Sequence, residues 1–277
     1  MMRIIAGTLA VALLCAETAS GQGITKYVRY AHDGAESYGI LDGETIRELR
    51  GDIFQSAEPT GRTVPLADAR LLVPVEPSKI VAVGFNYRSH LGERTADPYP
   101  GLFIKYPTSL IATGDEIVFP PGAGNVHYEG EMVVVIGKRA RHVSEADALD
   151  YVFGVTAGND VSERDWQASD LQWFRAKASD TFGPLGPAVV TGLDIGNLRL
   201  QTRLNGEVRQ SARTDDLIFD VPMIVSYVSQ FVTLEPGDVI YTGTPGTTQA
   251  MQPGDVVEIE LEGVGTLRNT IAGVGRR

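Results

Sequence analysis

The sequence predicts a β-rich α+β fold. Three observations carry that expectation. Short runs of β-branched and aromatic residues recur along the chain. Glycine is frequent, 31 in 277 residues, and Pro-Gly-Asp occurs twice, at 236–238 and 253–255, which marks tight turns. Strand-like and helix-like runs do not alternate regularly, so a doubly wound parallel sheet is disfavoured and a twisted, mostly β architecture fits better. A chain of this length has room for one large domain, or for a large and a small one.

The first 22 residues stand apart. Arg3 precedes an apolar stretch at 4–15, and small residues follow at 16–21. That order is the pattern of a secretory signal. The stretch is too short to span a bilayer comfortably. A start codon placed too far upstream, or a buried first strand, would account for the same residues. Cleavage would place the mature protein in the periplasm or outside the cell; retention would leave it cytoplasmic. Cys15 is the single cysteine, so a cleaved chain would have neither disulfides nor thiol chemistry. No other stretch approaches membrane-spanning length, and no membrane partner is expected of the mature form.

Residues 23–76 read as a small N-terminal β domain and linker. Runs at 26–30 and 37–41 flank a turn at Asp33-Gly34, and Asp42-Gly43 signals a second turn, which together make a β meander. Pro59, Pro65, Pro74 and Pro77 mark 57–78 as a linker into a larger domain at 77–277. A buried strand is expected at 79–84 and another in the apolar run 126–136. Ser144 with Asp147 resembles a capping box ahead of Ala148, Leu149 and Tyr151. Residues 155–161 read as a strand running into a helix at about 162–174. Asn205-Gly206 signals a hairpin. Asp220 and Pro222 open a helix with Val221, Ile224, Val225, Val228 and Phe231 at helical spacing. Residues 239–242 and 256–261 read as strands.

The net charge of −11 disfavours nucleic acid as a partner. It does not exclude a small acidic substrate, because a metal or a local Arg or Lys inverts the field within a pocket.

The run 126–136 carries the most informative feature. Glu129 and Glu131 stand two residues apart, so on a strand they share a face. Like charges about 4 Å apart cost roughly 4 kcal/mol at an effective dielectric near 20. A divalent cation or a shared proton would offset that. Solvated positions on an edge strand are the plainer reading, against which stand the apolar residues that follow and the close approach that Gly130 permits. Asp160 is either a helix cap or the third member of a carboxylate face. Three carboxylates suit Mg²⁺, Mn²⁺ or Ca²⁺ rather than zinc, since no Cys or paired His accompanies them. His90 and Glu93 would be neighbours if their segment is helical, and such a pair can prime an imidazole to take a proton from water. A surface ion pair on a mobile turn is the alternative. Lys177, before a Gly-Pro turn, is either solvated or placed to stabilise a developing enolate. Thr242-Gly243-Thr244-Pro245-Gly246 is a strand running into a turn whose backbone N–H groups and hydroxyls can hold a carboxylate.

Together these motifs resemble the fumarylacetoacetate hydrolase family over roughly residues 24–275. The most specific stretches are Val83-Gly84-Phe85-Asn86-Tyr87 with His90 and Glu93, Glu129-x-Glu131, and Asn159-Asp160-Val161 with Arg164 and Gln167. Lys177 with 180–184 and Thr242-Gly243-Thr244-Pro245 complete the set. The resemblance implies a mixed β-roll with a small N-terminal β domain, in a homodimer. It implies that Glu129, Glu131 and Asp160 hold Mg²⁺ or Mn²⁺ and that His90 and Glu93 form a water-activating dyad on a lid. It also implies that Lys177 is the active-site lysine and that Arg164, Gln167 and Thr244 contact substrate. The branch acting on fumarylacetoacetate itself has a metal-site aspartate seven residues before the histidine, where this chain has Val83. The expected activity is therefore metal-dependent C–C hydrolysis of an acylpyruvate- or fumarylpyruvate-like 2-oxo acid. Decarboxylation, isomerisation or hydration of a related 2-oxo dicarboxylic acid would use the same site. A non-catalytic exported ligand-binding protein is the reading of another class.

Overall fold

The computed structural model describes residues 23–274; the expected signal at 1–22 lies outside the described residues. Strands β1 (Thr25–His32), β2 (Ala35–Asp42) and β3 (Thr45–Arg50) form the expected meander. Asp33 and Gly34 take φ of +50° and +78°, the paired left-handed conformation that a two-residue hairpin requires. The proline-bearing stretch is not a linker. Strand β4 (Glu58–Pro65) pairs antiparallel with β3, and β5 (Arg70–Leu71) pairs with β1. Prolines are tolerated in β4 because it ends the sheet and owes hydrogen bonds to one neighbour only.

Buried strand β6 (Ile80–Gly84) leads to α1 (Arg88–Leu91), a single turn, and then to β7 (Gly101–Lys105). Next come β8 (Leu110–Ile111), β9 (Glu116–Phe119) and β10 (Val126–His127). The run 126–136 is thus two strands, because the chain breaks at Tyr128-Glu129 before β11 (Gly130–Ile136). Every residue of β11 is buried, as befits a strand with a neighbour on either side. The segment Glu145–Tyr151 is 3-10 rather than α, and the Ser144 hydroxyl donates to Asp147 Oδ2 (2.6 Å) instead of capping the backbone.

Strands β12 (Val152–Asn159) and β13 (Ser162–Glu163) precede α2 (Arg164–Ser169) and α3 (Phe174–Ala178). The single helix expected at 162–174 is therefore split, and its N-cap is Glu163, whose carboxylate accepts from the Trp166 N–H. Asp160 is left free for other work. Strand β14 (Gly183–Thr191) is followed by the hairpin of β15 (Arg199–Leu204) and β16 (Glu207–Arg213), closed at Asn205-Gly206 as expected. Helix α4 (Val221–Phe231) is capped by Asp220, which accepts from the Met223 N–H. Its buried face holds Val221, Ile224, Val225 and Val228, whereas Phe231 is 66% exposed. Strands β17 (Val239–Tyr241), β18 (Val256–Leu261) and β19 (Gly265–Val274) complete the described chain.

The long sheet runs β4-β3-β2-β1-β14-β12-β11-β17-β6-β7, and a five-stranded sheet runs β16-β15-β18-β19-β9. This topology fixes the site. Strand β11 is antiparallel to both β12 and β17, and β17 is parallel to β6. The start of β11 and the ends of β12, β17 and β6 therefore meet at one margin of the sheet. Those are the places of Glu131, Asp160, Gly243 and Asn86.

Candidate active site

Glu129, Glu131 and Asp160 each offer a carboxylate oxygen within 4.8 Å of the others, and the three residues are 4%, 2% and 1% exposed. Backbone bonds lock the two loops together. The Glu129 N–H donates to Asn159 Oδ1 (2.8 Å), and the Asp160 N–H donates to the Glu129 carbonyl (2.9 Å). The residue between the glutamates has to be glycine: a Cβ on Gly130 would lie 2.0 Å from Thr202 Oγ1 of β15. Glu131 Oε2 accepts from the Gly243 N–H (2.7 Å). The turn after β17 holds a carboxylate, as its sequence implied, but the carboxylate is the protein's own.

Cations surround the acids. Lys177 is buried and its Nζ donates to Glu129 Oε2 (2.7 Å) and Asp160 Oδ2 (2.6 Å). Lys105 comes up beside it, donating to Asp160 Oδ1 (2.7 Å) and to the Lys177 carbonyl. Arg164 Nη2 reaches Glu129 Oε1 (2.5 Å) and Thr248 Oγ1 (2.9 Å), and its Nη1 donates to Gln167 Oε1 (2.7 Å). The titrations follow from these contacts. Burial pushes the Glu129 carboxyl up, but Lys177, Arg164 and His90 together outweigh it and hold the group well below the usual range. Glu131 moves the other way. Burial, then Asp160 and Glu129, raise it well above the usual value against the pull of the Gly243 N–H and Lys177. Burial also lowers the Lys105 ammonium, against Asp160. At Lys177 the attraction of Asp160 and Glu129 overcomes burial and raises it.

The triad fits a hard divalent ion. Its donors are all carboxylate oxygens, with no sulfur or imidazole among them. Beside it lies a cavity of about 10 Å³, bounded by Glu129, Glu131, Lys177, His90, Thr244 and Val83, room for one small occupant.

The expected dyad is not assembled. Helix α1 ends at Leu91, Gly92 turns away with φ +60°, and Glu93 is exposed and unpaired among the described residues. The imidazole is oriented by the backbone instead: His90 Nδ1 lies 2.5 Å from the Gly246 carbonyl oxygen. A carbonyl only accepts, so Nδ1 carries the proton and Nε2 is left facing the acids, 3.7 Å from Glu129 Oε1. The Gly246 N–H in turn takes the Ser89 hydroxyl as acceptor (3.0 Å), so α1 is held against the turn after β17 at two points.

Arg164, Gln167 and His90 also line a cleft of about 550 Å³ that shares His90 and Gln167 with the small cavity beside the acids. A cavity of about 640 Å³ lies elsewhere, around Asp194, Asp215 and Met223, but contains none of these groups. The Thr244 hydroxyl is engaged within the fold, donating to the Gly130 carbonyl (2.9 Å) and accepting from Gln210 (2.8 Å). Three residues at the site escaped the sequence reading. Lys105 ends an apolar strand and reads there as a solvated lysine. His127 bonds Thr248 and Asn125, and burial first, then Arg164, lowers it to about 4. Arg94 has no spacing signal at all.

Residues 79–272 match the model of the fumarylacetoacetate (FAA) hydrolase C-terminal family, and 25–74 match the Rv2993c-like N-terminal family. The chain belongs to the fumarylacetoacetate hydrolase family. Human mitochondrial oxaloacetate tautomerase FAHD2A is 41% identical over 223 residues, which cover 75% of this chain and 71% of that one. The crystal structure of 2-hydroxyhepta-2,4-diene-1,7-dioate isomerase from Mycobacterium marinum superposes with a TM-score of 0.86 at 43% identity, covering 91% of this chain and 100% of that one. Maleylpyruvate hydrolase from Sphingobium sp. SYK-6, solved with manganese(II) and pyruvate, gives a TM-score of 0.76 at 29% identity, over 90% and 100% of the two chains. The fold is thus the one this family shares, and the protein is an enzyme of that family.

Proposed function

We propose that this protein is a divalent-metal-dependent enzyme that moves a proton within a 2-oxo dicarboxylic acid, as a tautomerase or isomerase. One observation carries the choice: His90 is oriented by the Gly246 carbonyl with its Nε2 turned towards the buried acids, while Glu93 is exposed and makes no contact with it. The tautomerase and isomerase names of relatives above 40% identity support it.

Glu129, Glu131 and Asp160 would hold Mg²⁺ or Mn²⁺, with Ca²⁺ also matched by the oxygen donors. The ion, when bound, supplies Lewis-acid polarisation of the 2-oxo acid. The chain does the rest. His90 Nε2 takes a proton from the carbon beside the ketone and returns it at the alternative atom. The Lys177 ammonium meets the negative charge that develops on the substrate oxygen. Arg164 and Gln167 orient the acid within the cleft.

The test is product analysis with oxaloacetate, acetylpyruvate and an unsaturated 2-hydroxy dioate, on Mg²⁺- or Mn²⁺-loaded protein with a chelated control. Proton exchange or a double-bond shift with all carbons retained is expected. C–C hydrolysis is the second reading, favoured by the likeness to maleylpyruvate hydrolase. Release of pyruvate from acetylpyruvate would select it. Inertness towards all three acids would overturn both.

Two further parts of the proposal concern the molecule's setting. A second copy of the chain covers the exposed Leu102, Ile104 and Tyr106 on and beside β7. Residues 1–22 direct export, in which case mass spectrometry of the mature protein finds them removed.

A further inference from the structure

The chain carries a net charge of −11, yet no carboxylate lines the 550 Å³ cleft above the acids. Two guanidinium groups do. Arg164 sits at the inner end, bonded to Glu129, Gln167 and Thr248. Arg94 is exposed at the mouth, with no ion pair or side-chain hydrogen bond among the described residues, and its guanidinium carbon stands 4.3 Å from the centroid of the Phe85 ring. Phe85 is itself unusual. Its φ of +57° is the left-handed conformation that a bulky residue rarely adopts, and its ring lies against His90 (6.0 Å) and Trp173 (6.2 Å). The strained residue links the proton-transfer histidine to the free arginine. Stacking on a ring face holds a guanidinium in place while leaving its N–H edge open to a planar anion.

We infer that Arg94 is the specificity-determining residue that receives the distal carboxylate of the substrate, selecting 2-oxo dicarboxylic over 2-oxo monocarboxylic acids. The inference rests on the reading of the site as one for 2-oxo acids and adds the group that reads the far end. Screening weakens an exposed charge contact, so the selectivity fades as salt rises.

The experiment is titration calorimetry on manganese-loaded wild type, R94Q and R94K. The probes are 2-oxoglutarate and 2-oxoadipate, each paired with the monoacid of equal carbon number, 2-oxopentanoate and 2-oxohexanoate. Wild type is expected to bind at least one diacid about tenfold more tightly than its monoacid, the scale of one hydrogen bond to a charged group. R94Q should bring the pair together without weakening the monoacid, and R94K should restore part of the preference. Equal binding of both acids by wild type, or an undiminished preference in R94Q, overturns the inference and leaves the proposed function standing. Equal loss of diacid and monoacid in R94Q also overturns it, assigning Arg94 to holding the mouth together. Binding of none of the four acids by wild type defeats the 2-oxo-acid reading itself.

Discussion

Glu131 sets the acid–base behaviour of the metal-free protein. Its folded value lies above the unfolded one of about 4.3, so its neutral form is the one the fold favours. That stabilisation is complete below the unfolded value and is lost as pH rises through the raised folded value. Glu129 works with the opposite sign: its stabilisation is present above the unfolded value and is lost as pH falls below it. Thermal melts in a chelating buffer should therefore show stability falling on the alkaline side, and Glu131→Gln should flatten that limb. Ion uptake needs Glu131 ionised, so Mg²⁺ affinity should rise with pH and binding should release a proton. Calorimetry in two buffers of different ionisation heat measures both. His90 and Glu93 separate just as cleanly. His90→Ala should lower kcat/KM by about 10²–10⁴, with circular dichroism unchanged, while Glu93→Gln should stay near wild type. That the triad, His90 and Lys177 would gather in one place was legible, because each lies in a short, recognisable run. The pairing of Glu93 was not, because it assumed a helix that ends one residue before Gly92. Lys105 was invisible because nothing in Gly-Leu-Phe-Ile-Lys says that the last side chain turns inward.

At the first position of β11 a single residue governs how two sheets meet. Gly130 gives way to Thr202 of β15, and its carbonyl accepts from Thr244 while its N–H donates to Gln210. Gly130→Ala should cost about 1–3 kcal/mol through overpacking and displace both glutamates. The expected result is a lower melting temperature together with weaker Mn²⁺ binding in the same variant. Normal binding in a destabilised variant would count against the coupling. Alternation and Asx-Gly turns made β1 to β3, the β15–β16 hairpin and α4 readable from local pattern. Strand β4 was not, because its prolines read as breakers unless its place at the sheet margin is known. The split between α2 and α3 has no sequence marker either. Asp170-Leu171-Gln172-Trp173 contains neither glycine nor proline, and what occupies that interval is tertiary: the Trp173 ring lies 5.2 Å from Phe103.

The molecule as a whole exposes its apolar surface unevenly. Leu102, Ile104 and Tyr106 lie on or beside β7, the last strand of the long sheet, and Phe174 packs edge-to-face against Tyr106 (5.6 Å) while remaining exposed. Ile104 is 57% exposed on a strand with one neighbour. A contiguous apolar patch at a sheet edge calls for cover. Sedimentation should therefore give a dimer for wild type and a shift towards monomer for Ile104→Glu; a monomeric wild type would remove the second copy from the proposal.

In the middle of the long sheet, β1 hydrogen-bonds to β14 through Thr25, Lys26 and Tyr27, so two separately matching sequence families are sewn into one continuous sheet. The boundary drawn by homology runs between two paired strands of one sheet. A chain begun at residue 77 would leave Val189, Val190 and Thr191 with a raw selvedge, free to knit to the next molecule and to clump before any chemistry began.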